Sequence, residues 1–147
     1  MTDDDDIFRQ CRKLYAQANT IACKFSHCSI NAKVTLFKTY CTPLYTAHLW
    51  SSYKKSSMQR LQVAYNDAMR ILLKKPRGGS ASHMFVTVGV RTLKALLRHL
   101  MYKFMERLDV STNSIIVALT SPVMSSSRYA SRLRVHWMNC LYILPVG

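Results

Sequence analysis

Apolar residues recur along this chain at gaps of three and four, which is the spacing of one face of an α-helix. The first such stripe follows four consecutive aspartates, Asp3–Asp6. Its members are Ile7, Cys11, Leu14, Ala18, Ile21 and Phe25. The stripe predicts a helix of about six turns, and the aspartates fit its positively polarised amino-terminal end.

Two more helices are predicted before residue 76. Ser29 can cap the second helix, which Pro43 breaks or kinks. Thr42-Pro43 could alternatively begin a further helix, since proline favours a first helical position. The apolar residues of this region are Val34, Phe37, Cys41 and Leu44. A third helix is predicted to begin near Ser56 or Ser57 and to end at Lys74-Lys75, before the breakers Pro76-Arg77-Gly78-Gly79. Its stripe comprises Met58, Leu61, Tyr65, Ala68 and Leu72.

The second half of the chain continues the pattern. Residues 80–88 predict a short helix closed by Gly89, and Thr92 opens a leucine-rich helix over 93–108. The apolar patch 115–119 is too short to classify, and the Ser/Pro stretch 120–127 predicts a loop. A last helix carries Tyr129, Leu133, Trp137, Cys140 and Leu144. Five or six amphipathic helices predict an all-α fold in one irregular bundle.

Composition supports a folded core and gives the chain a lopsided charge. Apolar residues make up 49% and charged residues 19% of the 147 positions, which is typical of globular domains rather than disordered chains. Lys and Arg number 21 against 7 acids, a net charge of +14. Because four acids are Asp3–Asp6, the chain from Ile7 onward has only three acids. The positive charges of a folded domain with this balance repel one another unless a polyanion or an acidic surface neutralises them.

Sequence signals for membranes and secretion are missing. No apolar run approaches the 18 residues of a membrane span. The acidic start differs from a secretory signal or a mitochondrial transit peptide. The five cysteines, an odd number within apolar helical patterns, are interpreted as reduced thiols that pack like small hydrophobes. We expect an intracellular protein of nucleus or cytoplasm, not a secreted one.

The residue inventory argues against an enzyme. Clustered carboxylates attract hard cations, but neighbouring aspartates on a helix point in different directions, so Asp3–Asp6 predict a helix start rather than a metal site. Glu106 is the only glutamate, which leaves little for paired-carboxylate catalysis. Cysteine and histidine spacings match no zinc motif, although His136 and Cys140 could face one ligand. Gly78-Gly79 lacks the rest of a phosphate-binding loop. No cofactor, metal or catalytic residue is predicted.

The tetrad Tyr65-Asn66-Asp67-Ala68 is a near match to the Tyr-x-Asp-Asp box of reverse transcriptases. That box places its carboxylates on two metal ions from a β-hairpin turn. Here the tetrad falls inside a predicted helix, and its fourth residue is alanine. We expect Asp67 instead to pair on the surface with Arg70 or Lys74.

Basic residues interleaved with aromatics form the strongest candidate site. Lys and Arg neutralise phosphates, and exposed Trp or Tyr can stack on bases. The candidate nucleic-acid-binding residues are Trp50, Tyr53, Lys54, Lys55, Arg60, Arg70, Lys74, Lys75 and Arg77. In the alternative interpretation, Trp50 belongs to the core and the cations form a solvated face. A basic module on anionic membranes is a weaker alternative.

Four segments in order resemble the region downstream of the polymerase core in non-LTR (LINE-type) retrotransposon proteins. The segment Arg9–Asn19 is similar to the helix just after the palm. Leu36–Tyr45, followed by Trp50, resembles a Leu-Tyr/Phe…Pro-x-Leu-x-Tyr…Trp pattern. Leu61–Leu72 resembles a helix ending in Leu/Met-Arg-x-Leu, and Pro76-Arg77 then leads into Val86–Val90 and the helix 93–108. The resemblance spans Asp3 to Leu144, and its collinear order is more specific than any one motif.

The resemblance implies a carboxy-terminal piece of a reverse transcriptase. Residues 3–110 would be the helical thumb, which grips the template–primer duplex in that family, and 111–147 a helical extension within the same structural unit. Fingers, palm and catalytic aspartates are absent, so a non-catalytic fragment that contacts RNA, DNA or an RNA–DNA hybrid is expected. The remainder of a reverse transcriptase is a possible partner. The alternative is an orphaned structural subdomain that self-associates through an exposed apolar face.

Overall fold

The computed structural model describes residues 2–114, 116, 117 and 135. The predicted loop 120–127, the last helix and most of the apolar patch 115–119 lie outside these residues. Within the described part of the chain the regular elements are helical, which confirms the all-α class. They are α1 (Asp4–Lys24), α2 (Ile30–Tyr40), a 3₁₀ turn (Ala47–Leu49), α3 (Lys55–Leu73), α4 (Ala81–Thr87) and α5 (Leu93–Asp109).

The described chain divides into two compact units. The first contains the residues up to Tyr45 together with Ser52–Leu93, and so holds α1 to α4. The second contains Thr46–Ser51 and the chain from Lys94 onward, which includes nearly all of α5. The candidate cations of the α3 region therefore belong to the first unit, whereas Trp50 belongs to the second.

Helices α1 and α3 form the main interface of the first unit. They run parallel, because the Asp4 carboxylate contacts Lys54 at their amino ends and Tyr15 contacts Asp67 further along both helices. Apolar side chains of both helices are buried in the core of this unit, and full burial of each large one contributes about 1.5–3 kcal/mol. The buried apolar residues of the two helices are Ile7, Leu14, Ala18, Ile21, Leu61, Ala64, Tyr65, Ala68, Met69 and Leu72.

The stripe predicted for α1 needs two corrections. Cys11 is only half-buried, and Gln10 is buried in its place, because the buried face of α1 is centred on Ile7, Leu14 and Ala18. Phe25 lies at the helix end and is exposed. The apolar pattern thus gave the helix and its length but misplaced the edge of its buried face.

Tyr65 joins α2, α3 and α4 around a buried aromatic cluster. Its ring meets Phe37 edge-on at 5.4 Å and stacks on Phe85 at 5.3 Å, both favourable ring geometries. Its hydroxyl donates a 3.0 Å hydrogen bond to the Arg91 carbonyl. The tyrosine of the tetrad is therefore a core residue, and the tetrad lies within α3 as predicted.

Local sequence signals set most helix ends. The Ser29 and Ser80 hydroxyls accept hydrogen bonds from the third following backbone N–H, as amino-terminal caps do. Gly89 follows α4 with a positive φ of 62°, where a side chain would be strained. Pro43 does not kink α2, which has already ended at Tyr40, and no α-helix begins at Thr42.

The cysteines do not all pack like small hydrophobes. Cys41 is buried, and burial raises the pKa of its thiol to about 12. Cys11 is half-buried, and its pKa is also raised by desolvation. Cys23 and Cys28, by contrast, are exposed near the turn between α1 and α2. These four thiols are free of disulfides.

Candidate nucleic-acid interface

The predicted cations separate into two clusters at opposite ends of α3. Lys54 and Lys55 begin the helix, whereas Lys74, Lys75 and Arg77 follow its end. The 19 residues of α3 at 1.5 Å each set these ends about 28 Å apart. All five residues are exposed. The structure therefore arranges the predicted cations as two exposed surfaces at opposite ends of α3 rather than as one patch.

Aspartates at the start of α1 fix the amino-terminal cluster. The Asp4 carboxylate accepts a 3.0 Å hydrogen bond from the Lys54 backbone N–H and another from the Ser57 side chain. These two hydrogen bonds hold the pKa of Asp4 below its ordinary value. Asp3 and Ser52 exchange two more hydrogen bonds, of 2.8 and 2.9 Å. The acidic run thus both starts α1 and caps the neighbouring helix.

The remaining residues near the start of α3 contribute unequally to the candidate surface. The Arg60 guanidinium lies over the Phe8 ring at 5.2 Å, a cation–π distance, and remains exposed. Tyr53 is half-buried. Trp50 is only 2% exposed, so its ring cannot stack on a base, and its assignment to the candidate surface is corrected to a core position. A large apolar ring gains more from burial than from exposure on a charged surface.

Helix α3 ends in a conformation that turns the chain out toward solvent. Lys74 adopts the left-handed region with a φ of 52°, and the Lys75 N–H donates a 3.0 Å hydrogen bond to the Arg70 carbonyl. Such a left-handed cap satisfies carbonyls of the last turn and stops the helix. Loop 74–80 then leads to α4, and every residue of this loop is exposed.

A buried carboxylate holds that loop. Asp67 accepts from Arg70 at 3.2 Å and from Arg77 at 3.0 Å, and its side chain is only 6% exposed. Tyr15 donates to the same carboxylate at 3.3 Å. Arg70 also donates at 3.1 Å to the Gly79 carbonyl. Asp67, Arg70 and Arg77 form the Asp67 cluster, which joins the body of α3 to both halves of the loop.

The Asp67 cluster corrects the predicted surface pairing. The Arg70 partner is confirmed, but Asp67 is buried, and its second partner is Arg77 rather than Lys74. Lys74 is exposed and forms the left-handed cap of α3. Helical spacing identifies a partner three residues away, whereas Arg77 reaches Asp67 through the turn after the helix. In the sequence, only the breaker Pro76-Arg77-Gly78-Gly79 indicated a turn that could bring Arg77 back toward α3.

An open groove lies between α1 and α3. It encloses about 470 Å³ and is mostly apolar. Val63 on its rim is 54% exposed. The groove is lined by Phe8, Cys11, Tyr15, Ser56, Gln59, Arg60, Val63 and Ala64. A groove of this kind is the exposed apolar surface that the subdomain alternative requires.

Clusters of metal-ligating side chains and membrane-spanning helices are both absent from the described residues. In this part of the chain no three His, Cys, Asp or Glu side chains come together at a possible metal site. None of the helices described is long and apolar enough to cross a membrane. Comparison with known proteins found no matching family model, curated protein or solved structure.

Proposed function

We propose that this all-α protein is a non-catalytic, nucleic-acid-contacting fragment of the LINE-type reverse transcriptase class, and that it binds through phosphate contacts. The observation that carries the proposal is the pair of exposed cationic clusters fixed at the two ends of α3. The Asp4 carboxylate fixes the backbone of Lys54 in one cluster, and the Asp67 carboxylate fixes the guanidinium of Arg77 in the other. A backbone that is already ordered lowers the entropic cost of presenting these cations to a polyanion.

The charge balance supports a polyanionic partner. Seven acids can neutralise at most seven of the 21 cations, which leaves a net charge of +14. Two of the acids, Asp4 and Asp67, are buried. Binding to RNA, DNA or an RNA–DNA hybrid would relieve this repulsion and release counterions from the nucleic acid.

The polymerase origin rests on the collinear resemblance of four segments. Two of these segments correspond to helices of the first unit: Arg9–Asn19 lies within α1, and Leu61–Leu72 lies within α3. On this proposal the chain retains the grip on a template–primer duplex and has no catalytic carboxylates of its own. It reads no sequence, because exposed lysines and arginines contact phosphates rather than base edges.

Fluorescence anisotropy with a labelled RNA–DNA hybrid, single-stranded RNA and duplex DNA tests the proposal. For duplex DNA the logarithm of the affinity should fall linearly with the logarithm of salt concentration, with a slope of roughly −0.9 per phosphate contacted. Binding to the hybrid should be the tightest of the three. A folded protein that binds none of the three at low salt overturns the proposal.

Substitutions locate the binding surface. Replacing Lys54, Lys55, Lys74 and Lys75 with Ala should weaken binding evenly across sequences and make the salt dependence shallower. The control is Lys38→Ala with Lys94→Ala, which removes exposed cations outside both clusters. Compared per charge removed, the control should have the smaller effect. An equal loss of affinity per charge removed in both variants would show that the binding depends on overall charge alone.

The open groove favours a second candidate function, an orphaned structural subdomain that self-associates. Val63 and its neighbours would then pack on a second copy of the chain. Light scattering and a dye that fluoresces on apolar surfaces distinguish the two functions in the same preparation. A monomer without dye signal contradicts the subdomain, whereas an oligomer that Val63→Lys converts to monomer supports it.

A further inference from the structure

The Asp67 cluster connects helix α3 to the cationic loop 74–80. Its carboxylate is buried, whereas the Arg77 side chain that it binds is 83% exposed. Arg70 lies between these extremes, at 15% exposed, and bridges Asp67 to the Gly79 carbonyl. One carboxylate in the helix thus fixes two points of loop 74–80, Arg77 directly and Gly79 through Arg70.

We infer that Asp67 is the positioning residue of a phosphate-binding loop: it holds loop 74–80 so that Lys74, Lys75 and Arg77 face a nucleic-acid backbone together. This inference rests on the proposed function and names the part of the surface that binds most strongly. Asp67 makes no contact with the nucleic acid, since its side chain is enclosed by its partners.

The arrangement explains why a chain with so few acids places one inside its most basic segment. An exposed acid here would repel phosphate. A buried acid that engages two guanidiniums instead orders the loop, and each guanidinium has several further N–H donors for a phosphate. Without the Asp67 cluster, Gly78 and Gly79 would leave the loop flexible, because glycine has the widest backbone freedom of any residue.

The test compares two substitutions that change the net charge equally. Asp67→Asn and Asp5→Asn each remove one negative charge, but Asp5 is exposed on α1. At fixed salt and with the labelled RNA–DNA hybrid, Asp5→Asn should bind as tightly as the wild type or more tightly. Asp67→Asn should bind about fivefold more weakly than the wild type, although its net charge is more positive. Without the carboxylate, loop 74–80 is no longer held in place and must be ordered on binding.

A double-mutant cycle separates positioning from overall destabilisation. Both variants are first shown to be folded by circular dichroism at the assay temperature. If Asp67 acts through Arg77, Asp67→Asn should cost little further affinity in an Arg77→Ala background, so the two effects are not additive. Additive losses overturn the inference, and so does an Asp67→Asn variant that binds like Asp5→Asn.

Two surface variants keep the inference falsifiable if Asp67→Asn does not fold. Lys75→Ala and Arg77→Ala each remove one exposed cation from the same loop, but only Arg77→Ala also releases the Asp67 cluster. Arg77→Ala should bind about fivefold more weakly than Lys75→Ala, and equal affinities overturn the inference. A wild-type protein that binds no hybrid overturns the proposed function and this inference together, whereas wild-type binding with equal variants removes the inference alone.

Discussion

The hydroxyl of Tyr15 in α1 donates a 3.3 Å hydrogen bond to the carboxylate of Asp67 in α3, 52 residues later in the chain. Together with the contact between Asp4 and Lys54, it fixes the parallel register of α1 and α3, the two longest of the described helices. Burial and the negative charge of Asp67 both raise the pKa of the Tyr15 phenol, so the proton stays on the tyrosine as donor. The main interface of the fold and the candidate binding surface therefore share one carboxylate.

Removing this hydroxyl should destabilise the protein modestly. Tyr15→Phe leaves the ring in place and deletes one hydrogen bond to a carboxylate that retains two arginine partners. We expect a loss of about 1 kcal/mol in the free energy of unfolding, measured by urea denaturation. Tyr102→Phe, at an exposed position of α5, is the matched control and should change nothing. Equal unfolding midpoints for the two variants would show that the 3.3 Å contact contributes no stability.

Lys74→Gly should stabilise the fold. Lys74 caps α3 with a φ of 52°, a conformation that glycine adopts without the Cβ strain of other residues. The expected gain in unfolding free energy is about 1 kcal/mol. Lys75→Gly removes the same charge one residue later, at a position without positive φ, and should give no gain. Stabilisation by both variants would indicate relief of charge repulsion instead.

The helix ends and buried faces that depend on residues adjacent in sequence could be predicted from the sequence. Ser29, Ser80 and Gly89 act at helix ends within three residues of the groups they satisfy, so their roles follow from local chemistry. Helical periodicity gave the buried faces around Leu14 and Leu61 for the same reason. These features depend on residues that are close together in the chain, so they can be predicted from a single sequence.

The candidate site depended on contacts that no local rule specifies. Arg77 reaches Asp67 across a turn, and Asp4 caps a helix that begins fifty residues later. Trp50 has basic and polar neighbours in sequence but is buried by its tertiary environment. Charge and aromatic content therefore supplied a list of candidate residues, whereas tertiary burial and pairing decide which of them face solvent.

Acid should weaken the amino-terminal contact of α3. Because hydrogen bonds hold the folded-state pKa of Asp4 below its ordinary value of 3.8, the charged carboxylate adds stability above that pH. This contribution is lost as the pH falls from about 4 through the lower folded-state pKa. The thermal midpoint of Asp4→Asn should therefore lie below that of the wild type at pH 7, and the difference should shrink by pH 2.5. Asp5→Asn, at an exposed position, should show no comparable difference.

Thiol accessibility should divide the cysteines into distinct classes. Alkylation requires an accessible thiolate, and Cys23 and Cys28 are exposed, whereas Cys41 is buried with a pKa raised to about 12. Brief treatment with iodoacetamide at pH 8, followed by peptide mass mapping, should label Cys23 and Cys28 first. Cys11, half-buried with a raised pKa, should react more slowly, and Cys41 only after urea is added. Early labelling of Cys41 in the absence of urea would contradict the packing of α2 against α3 around Phe37 and Tyr65, because that helix pair must stay closed to shield the thiol.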